Sequence, residues 1–467
     1  MTDFASLLIA DRGQPARAIH LVDKASFAGW LRGRSAEDKA LLAAHRFEGK
    51  SGHVLLPRDG DFEVVGAVND AGALAAWCLA RLAEALPEGT YRLAEREPGK
   101  AALGWLLAQH RFEKFRKAEE PAAGPRVLLT GEPARIEPAV RMAEATALVR
   151  DLVDTPASSL GPAELEQAVR DHAARFGGEV RVTAGDALST GYPLVAAVGA
   201  AATRERAPRL IEVEYGDPRH PRVAIIGKGV CFDSGGLDLK NASGMRLMKK
   251  DMGGAAHALA LFGLVAGERL PIRLHLLIPA VENAVSGAAL RPGDIVKSRH
   301  GLQVEIDNTD AEGRLILADA LTRAAQGDGA KSRPELMIDF ATLTGAARIA
   351  LGPDLPALFA NRDDLLEGLE SAARQADDPL WRMPLWDGYD EMLKSDVADI
   401  ANATSSSMAG CITAALFLRR FVPEGIAWAH LDTFAWRPKA RPGRPKGGDA
   451  LGLRAAFGLL AERYPRS

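Results

Sequence analysis

The chain has little of what usually narrows a first reading. It carries three cysteines in 467 residues, Cys78, Cys231 and Cys411. Their wide spacing fits neither a disulfide framework nor a CxxC metal site. They read as reduced thiols packed as small hydrophobes. Long apolar runs are also missing. The longest, 258–267, is well short of the ~20 residues that span a bilayer. The N-terminus has no basic stretch, and its apolar run at 7–10 stops at Asp11, so no secretory signal is read. The expectation is a soluble, cytoplasmic protein with no membrane partner. Neither charge sign is in excess: 58 Lys+Arg face 61 Asp+Glu, a net charge of −3. That excludes the basic footprint of a non-specific nucleic-acid binder. HExxH and GxxxxGK[ST] patterns and solenoid-period repeats are absent as well. What remains is ordinary globular material, 47% hydrophobic and 25% charged, long enough for two or three domains.

The first third reads as an α/β unit. Strands are expected at 53–56 and 62–68 around the turn Arg58-Asp59-Gly60-Asp61, and at 91–94 and 126–130. Helices are expected at 72–86 and 101–115. No acid, Cys or His motif clusters here, so the unit reads as scaffold or oligomer contact. A linking helix follows, with apolar residues recurring at Val140, Ala143, Ala147, Val149 and Leu152. Strands at 223–226, 273–278, 304–306, 336–340 and 427–431 then alternate with helices at 255–267, 315–325 and 412–421. Continuous apolar strands alternating with helices imply a doubly wound, mainly parallel sheet. The expected division is an accessory α/β domain at 1–136, a linking helix at 137–155 and a catalytic domain at 156–467. Ligands of such sheets bind beyond the carboxyl ends of the strands.

Three clusters lie at such places. Lys228 and Asp233 sit in a glycine-rich stretch after the 223–226 strand. A phosphate cradle there would not want Asp233 inside it. Asp251 precedes a helix, where a capping role is the common one. Asp310 and Glu312 join a strand to a helix; two apart in an extended segment, they would point to one side. Such a pair repels unless a cation or proton lies between. A solvated acidic turn is the plain alternative. An EF-hand loop running from Asn308 to Asp319 is a sharper one, opposed by its Asp at the twelfth position and by the strand before it. Taken together, Asp233, Asp251, Asp310 and Glu312 could hold two divalent ions, with Lys228, Lys240 and Arg314 nearby. The residues by themselves reach a two-metal hydrolase or phosphotransferase, with a structural metal protein as the non-enzymatic alternative.

The segments GKGVCFDSGG, KNASGMRLMKKDMGGAA and NTDAEGRLILADAL closely resemble the leucyl aminopeptidase (cytosol aminopeptidase) family. So do DFATLTGA at 339–346 and the ITAALFL and WAHLD segments within 412–432. The resemblance implies an N-terminal α/β domain plus a larger catalytic α/β/α domain with a mainly parallel central sheet. It implies a metal-dependent aminopeptidase that hydrolyses the N-terminal bond of peptides with a free α-amine through a metal-bridging hydroxide. Lys228, Asp233, Asp251, Asp310 and Glu312 match the family's metal ligands, with Asp233 and Glu312 bridging. Lys240 and Arg314 match its two non-ligand catalytic residues. Met248, Thr342, Leu343 and Gly345 match positions around the substrate. The implied cofactors are two divalent ions, Mn2+ or Zn2+ with Mg2+ also open, and a bicarbonate near Arg314. The implied partners are peptide substrates and five further copies in a homohexamer, with no nucleic acid. One departure stands out: Asp432-Thr433-Phe434 replaces the family's more usual Asp-Ile-Ala.

Overall fold

The computed structural model describes residues 2–117, 124–326 and 333–466. They form two compact units, one of residues 1–147 with 439–446 and one of 148–438 with 447–467.

The smaller unit holds six strands: β1 (Leu8–Ala10), β2 (Arg17–Val22), β3 (His53–Arg58), β4 (Asp61–Ala67), β5 (Gly89–Leu93) and β6 (Arg126–Thr130). Their order is β1-β6-β5-β2-β4-β3, all parallel except the β3–β4 hairpin. Two expected helices are shorter than their apolar pattern suggests. The 72–86 segment is helical only over Ala80–Ala85. Asp70 takes the amides of Gly72 and Ala73 at 2.7 and 3.0 Å, an Asx turn that competes with a helix start. The 101–115 segment is α-helical only over Ala102–Leu107. It stops because Gln109 turns to β6, where its side chain bonds both the N–H and the C=O of Arg126 at 2.9 Å.

The helix Ile136–Asp154 leads into the larger unit. Pro138 is tolerated in its first turn, where no intrahelical N–H is needed. The main sheet comprises β7 (Glu179–Ala184), β8 (Arg209–Tyr215), β9 (Arg222–Gly227), β10 (Gly229–Asp233), β11 (Arg273–Asn283), β14 (Leu336–Ala341), β15 (Ala357–Ala360), β16 (Trp381–Arg382) and β18 (Ala427–Asp432). The missing numbers belong to a small separate sheet, β12 (Ile295–Lys297), β13 (Gln303–Glu305) and β17 (Ile400–Ala401). The main order is β16-β15-β18-β14-β9-β11-β8-β7, with β10 on β11. The centre β18-β14-β9-β11 is parallel, while β7, β8 and β15 run antiparallel to their inner neighbours. Every residue of β9, β14 and β18 is buried, as both faces of a covered parallel sheet require.

The 304–306 strand does not join this sheet, as the alternating pattern had suggested. A tight hairpin, with Ser298 accepting from Gly301 and donating to Leu302, ties β13 to β12 instead. Conversely, the glycine-rich 229–233 segment is itself a strand. Cys231 lies buried on it, with its thiol toward the Gly229 carbonyl and its pKa pushed up by burial. Buried polar groups on neighbouring strands pair in register: Asp339 bonds His430 at 2.5 Å and the Trp428 indole at 2.7 Å.

The helix Gly253–Glu268 starts directly on these strand ends. Lys228 donates its N–H to the Phe340 carbonyl at 3.0 Å and accepts from Ala255 at 2.8 Å. A Cβ on Gly254 would lie 2.2 Å from the Phe340 oxygen. Gly254→Ala is therefore expected to cost about 1–3 kcal/mol of stability through overpacking, read as a lower urea midpoint at unchanged slope. An unshifted midpoint would contradict this account of the contact.

Candidate metal centre

Five segments converge beyond the carboxyl edge of the sheet. Lys228 follows β9 and Asp233 ends β10. Asp251 lies in the 3-10 turn Met248–Met252. Asp310 occupies a turn, and Glu312 is the first residue of the helix Glu312–Gln326. The acidic pair thus does not lie on an extended segment, because the helix begins between its members. The two still meet. Asp233, Asp310 and Glu312 each offer an oxygen, all within 4.8 Å of one another. Asp251 joins through Lys228, whose Nζ stands 2.6 Å from Asp251 Oδ2 and 3.0 Å from Glu312 Oε1. Lys240 Nζ lies 2.6 Å from Asp233 Oδ2 and also pairs with Asp310. These six residues line one cavity of about 390 Å³ together with Met248, Thr342, Leu343 and Gly345. Arg314 does not line it. It is buried in the first turn of the same helix, with Nη1 donating to the Asn402 carbonyl at 2.7 Å and Nε left without an acceptor.

The electrostatics follow from crowding acids where water is scarce. Burial first, then the charge of Asp233, pushes Glu312 up to about 8 and Asp310 up to about 6. Burial opposes the charges on Lys228 and Lys240, but the surrounding carboxylates outweigh it and hold both ammoniums protonated beyond their ordinary range. Asp251 is lowered despite burial, chiefly by Lys228. Burial brings Arg314 down to about 10. Glu312 Oε2 is buried and takes no hydrogen bond. An acid cage with an orphaned oxygen, neutralised only by lysines, fits divalent cations. Its all-carboxylate oxygen set, with one amine, suits Mn, Mg or Zn. Lysine ligation requires a dication to displace the ammonium proton.

Residues 147–457 match the cytosol aminopeptidase family catalytic domain, and residues 18–128 match the M17 aminopeptidase N-terminal domain. The chain belongs to the cytosol aminopeptidase family. It is 42% identical over 375 residues to a probable cytosol aminopeptidase of Syntrophotalea carbinolica, covering 77% of this chain and 74% of that one. The crystal structure of the cytosol aminopeptidase from Coxiella burnetii superposes with a TM-score of 0.92 at 43% identity, covering 98% and 99% of the two chains. The bottromycin maturation enzyme BotP in complex with Mn gives 0.84 at 31%, covering 98% of this chain and all (100%) of the other. A metal-dependent aminopeptidase activity follows from this membership, and the division into an N-terminal and a larger catalytic α/β unit agrees with it.

Two residues that brace the centre, Asn283 and Asn402, carried no motif. Asn283, at the end of β11, donates to Asp233 Oδ1 at 2.9 Å and to the Thr309 carbonyl at 3.2 Å. A lone Asn closing an eleven-residue strand, nearly all buried, was the available signal. Asn402 caps the acidic turn, accepting from Asp307 at 2.9 Å and donating to the Asn308 carbonyl at 2.8 Å. Thr342 donates to Asp251 Oδ1 at 2.8 Å. Asp432 holds the loop after β14 by accepting from Leu343 N at 2.9 Å and Thr344 Oγ1 at 2.6 Å. Asp319, the last position of the calcium-loop alternative, lies inside a helix and accepts from Leu194 and Arg299 backbone amides at 2.8 Å. His257 is satisfied within the core by Gly253 O and Leu451 N.

The raised carboxyl of Glu312 has a definite sign. Below about 4.5 it is protonated folded or unfolded; between there and about 8 only the unfolded chain gives up the proton. Stability of the metal-free protein therefore falls as pH rises across that window. Divalent ions reverse this by favouring the carboxylate. The Tm gain on adding Mn2+ is expected to be larger near pH 8 than near pH 5.5 in a thermal melt; equal gains would contradict it. Gly313 supplies a second check. A Cβ there would meet Lys228 Cε at 2.5 Å and Nζ at 2.7 Å. Gly313→Ala is expected to keep the far-UV spectrum while lowering bound metal per chain.

Proposed function

We propose that this aminopeptidase holds two divalent ions through Lys228, Asp233, Asp251, Asp310 and Glu312, and uses Lys240 and Arg314 as catalytic residues that ligate neither. Its substrates are peptides with a free α-amine. When bound, the ions would supply Lewis-acid polarisation of the scissile carbonyl and would lower the pKa of water to about 7. The observation that carries this reading is the pair of lysines wedged among four clustered acids. Ions entering the cage would release the Lys240 ammonium from Asp233 and Asp310. Freed, it would donate to the oxygen of the carbonyl under attack and stabilise its developing charge. Met248, Thr342 and Gly345 would form the wall for the N-terminal side chain, with Leu343 offering backbone to the reacting group. Arg314, with an unused buried Nε, would hold a bicarbonate, which would supply a general base. No histidine lies among the cavity-lining residues to do so. Mn2+ or Zn2+ is the proposed pair, with Mg2+ as a further candidate. The reading includes a cytoplasmic homohexamer, an accessory part at 1–136, a linking helix at 137–155 and a catalytic part at 156–467. Among the described residues no helix is long and apolar enough to cross a membrane.

Leu-p-nitroanilide should be hydrolysed by the Mn-loaded protein and not after chelation. Lys240→Met is expected to lower kcat by ~10²–10³ while metal per chain, measured by mass spectrometry, stays near two. Chelator-insensitive turnover, or a fully active Lys240→Met, would overturn the assignment.

A further inference from the structure

The cavity does not end at the acid cage. Beyond Asp251 its wall is made by Met248 and Lys250 on one turn, Arg348 on the helix Gly345–Leu351, and Phe434 just after β18. Two cations brace the Phe434 ring: Lys250 Nζ lies 5.4 Å from its centroid and Arg348 Cζ 4.9 Å. Lys250 is only 5% exposed, yet among the described residues its sole ion pair is a loose 3.5 Å contact with Asp251, the carboxylate the ions would claim. Arg348 makes no ion pair among the described residues. Nor is Asp432 free to serve them, since Leu343 and Thr344 occupy its carboxylate. This end of the pocket therefore presents two cations, Lys250 buried and Arg348 exposed, met only by the loose Asp251 contact. A buried ammonium with so loose a partner is unfavourable, and an acceptor oxygen brought by what binds would meet both.

We propose that Lys250 and Arg348, set against Phe434, select the N-terminal residue of the substrate: a side chain ending in a carboxylate or amide oxygen is favoured, and a cationic one is rejected. This rests on the aminopeptidase reading and on the pocket assignment made with it. Phe434 fixes the two cations through cation–π contact and supplies an apolar floor for the side chain's methylenes. A site built to bond a polar substrate group discriminates strongly against one that leaves its donors unpaired.

The test uses the Mn-loaded protein with the p-nitroanilides of Glu, Gln, Met and Lys. Glu should exceed Lys, and Gln the similarly sized Met, by about tenfold or more in kcat/KM. Free L-glutamate should bind more tightly than L-lysine by titration calorimetry, in the same order. Lys250→Met and the exposed Arg348→Met should each narrow the Glu-to-Lys ratio by about tenfold, so a failure of the buried variant to fold still leaves a test. A ratio near one in the native protein, or one that neither variant moves, would overturn the selection while leaving the aminopeptidase standing. Absence of cleavage of all four would overturn the aminopeptidase reading itself.

Discussion

Like charges crowded out of water set the terms for this catalytic unit. Asp233, Asp310 and Glu312 bring oxygens within 4.8 Å of one another, with Asp251 beside them, and all but Asp310 are buried. Two unit charges 4 Å apart repel by several kcal/mol even at an intermediate dielectric of about 20. Such a cluster persists only if cations fill it or protons neutralise it. Lys228 and Lys240 do the first in part, and the upward displacement of Glu312 and Asp310 shows the remaining imbalance. The centre is thus a folded arrangement with an unmet demand for positive charge.

The surrounding structure is what keeps that demand from being relieved by movement. Lys228 is bonded through its backbone to a strand on one side and a helix start on the other. Glycines at 227 and 254 let those elements touch where any side chain would collide. Asn283 fixes Asp233, Asn402 fixes the turn before Glu312, and Thr342 fixes Asp251. Asp233 and Asp251 are thus each held by a neutral amide or hydroxyl, which orients an oxygen without spending its charge. Preorganisation of this kind is what lets a cation enter without a large rearrangement.

Much of this was legible in the chain. The apolar runs of β9, β14 and β18 announced a covered parallel sheet, and the acids just past them announced where the chemistry would sit. Other features were not visible because the deciding contacts are tertiary. The 72–86 helix lost its first half to an Asx turn at Asp70. The β13 strand was claimed by a local hairpin, and nothing in its three residues could say so. The antiparallel strands β7 and β8 lacked the continuous apolar runs that marked the centre, and β15 is apolar but only four residues long. Lys228 as a ligand came from resemblance and not from residue chemistry, which would make it a surface ion pair. Asn402 had no local signal, since its role depends on a turn some ninety residues away.

Two residues before Asp233, Cys231 is sealed in the core as a neutral thiol. The acid cage itself is assembled only from carboxylates and amines, groups that peroxide leaves alone. Alkylating reagents that silence cysteine peptidases would find no thiolate to attack here. Among the cavity-lining side chains sulfur enters once, at Met248. On the proposed site, oxidation of Met248 would therefore alter substrate choice before it altered hydrolysis.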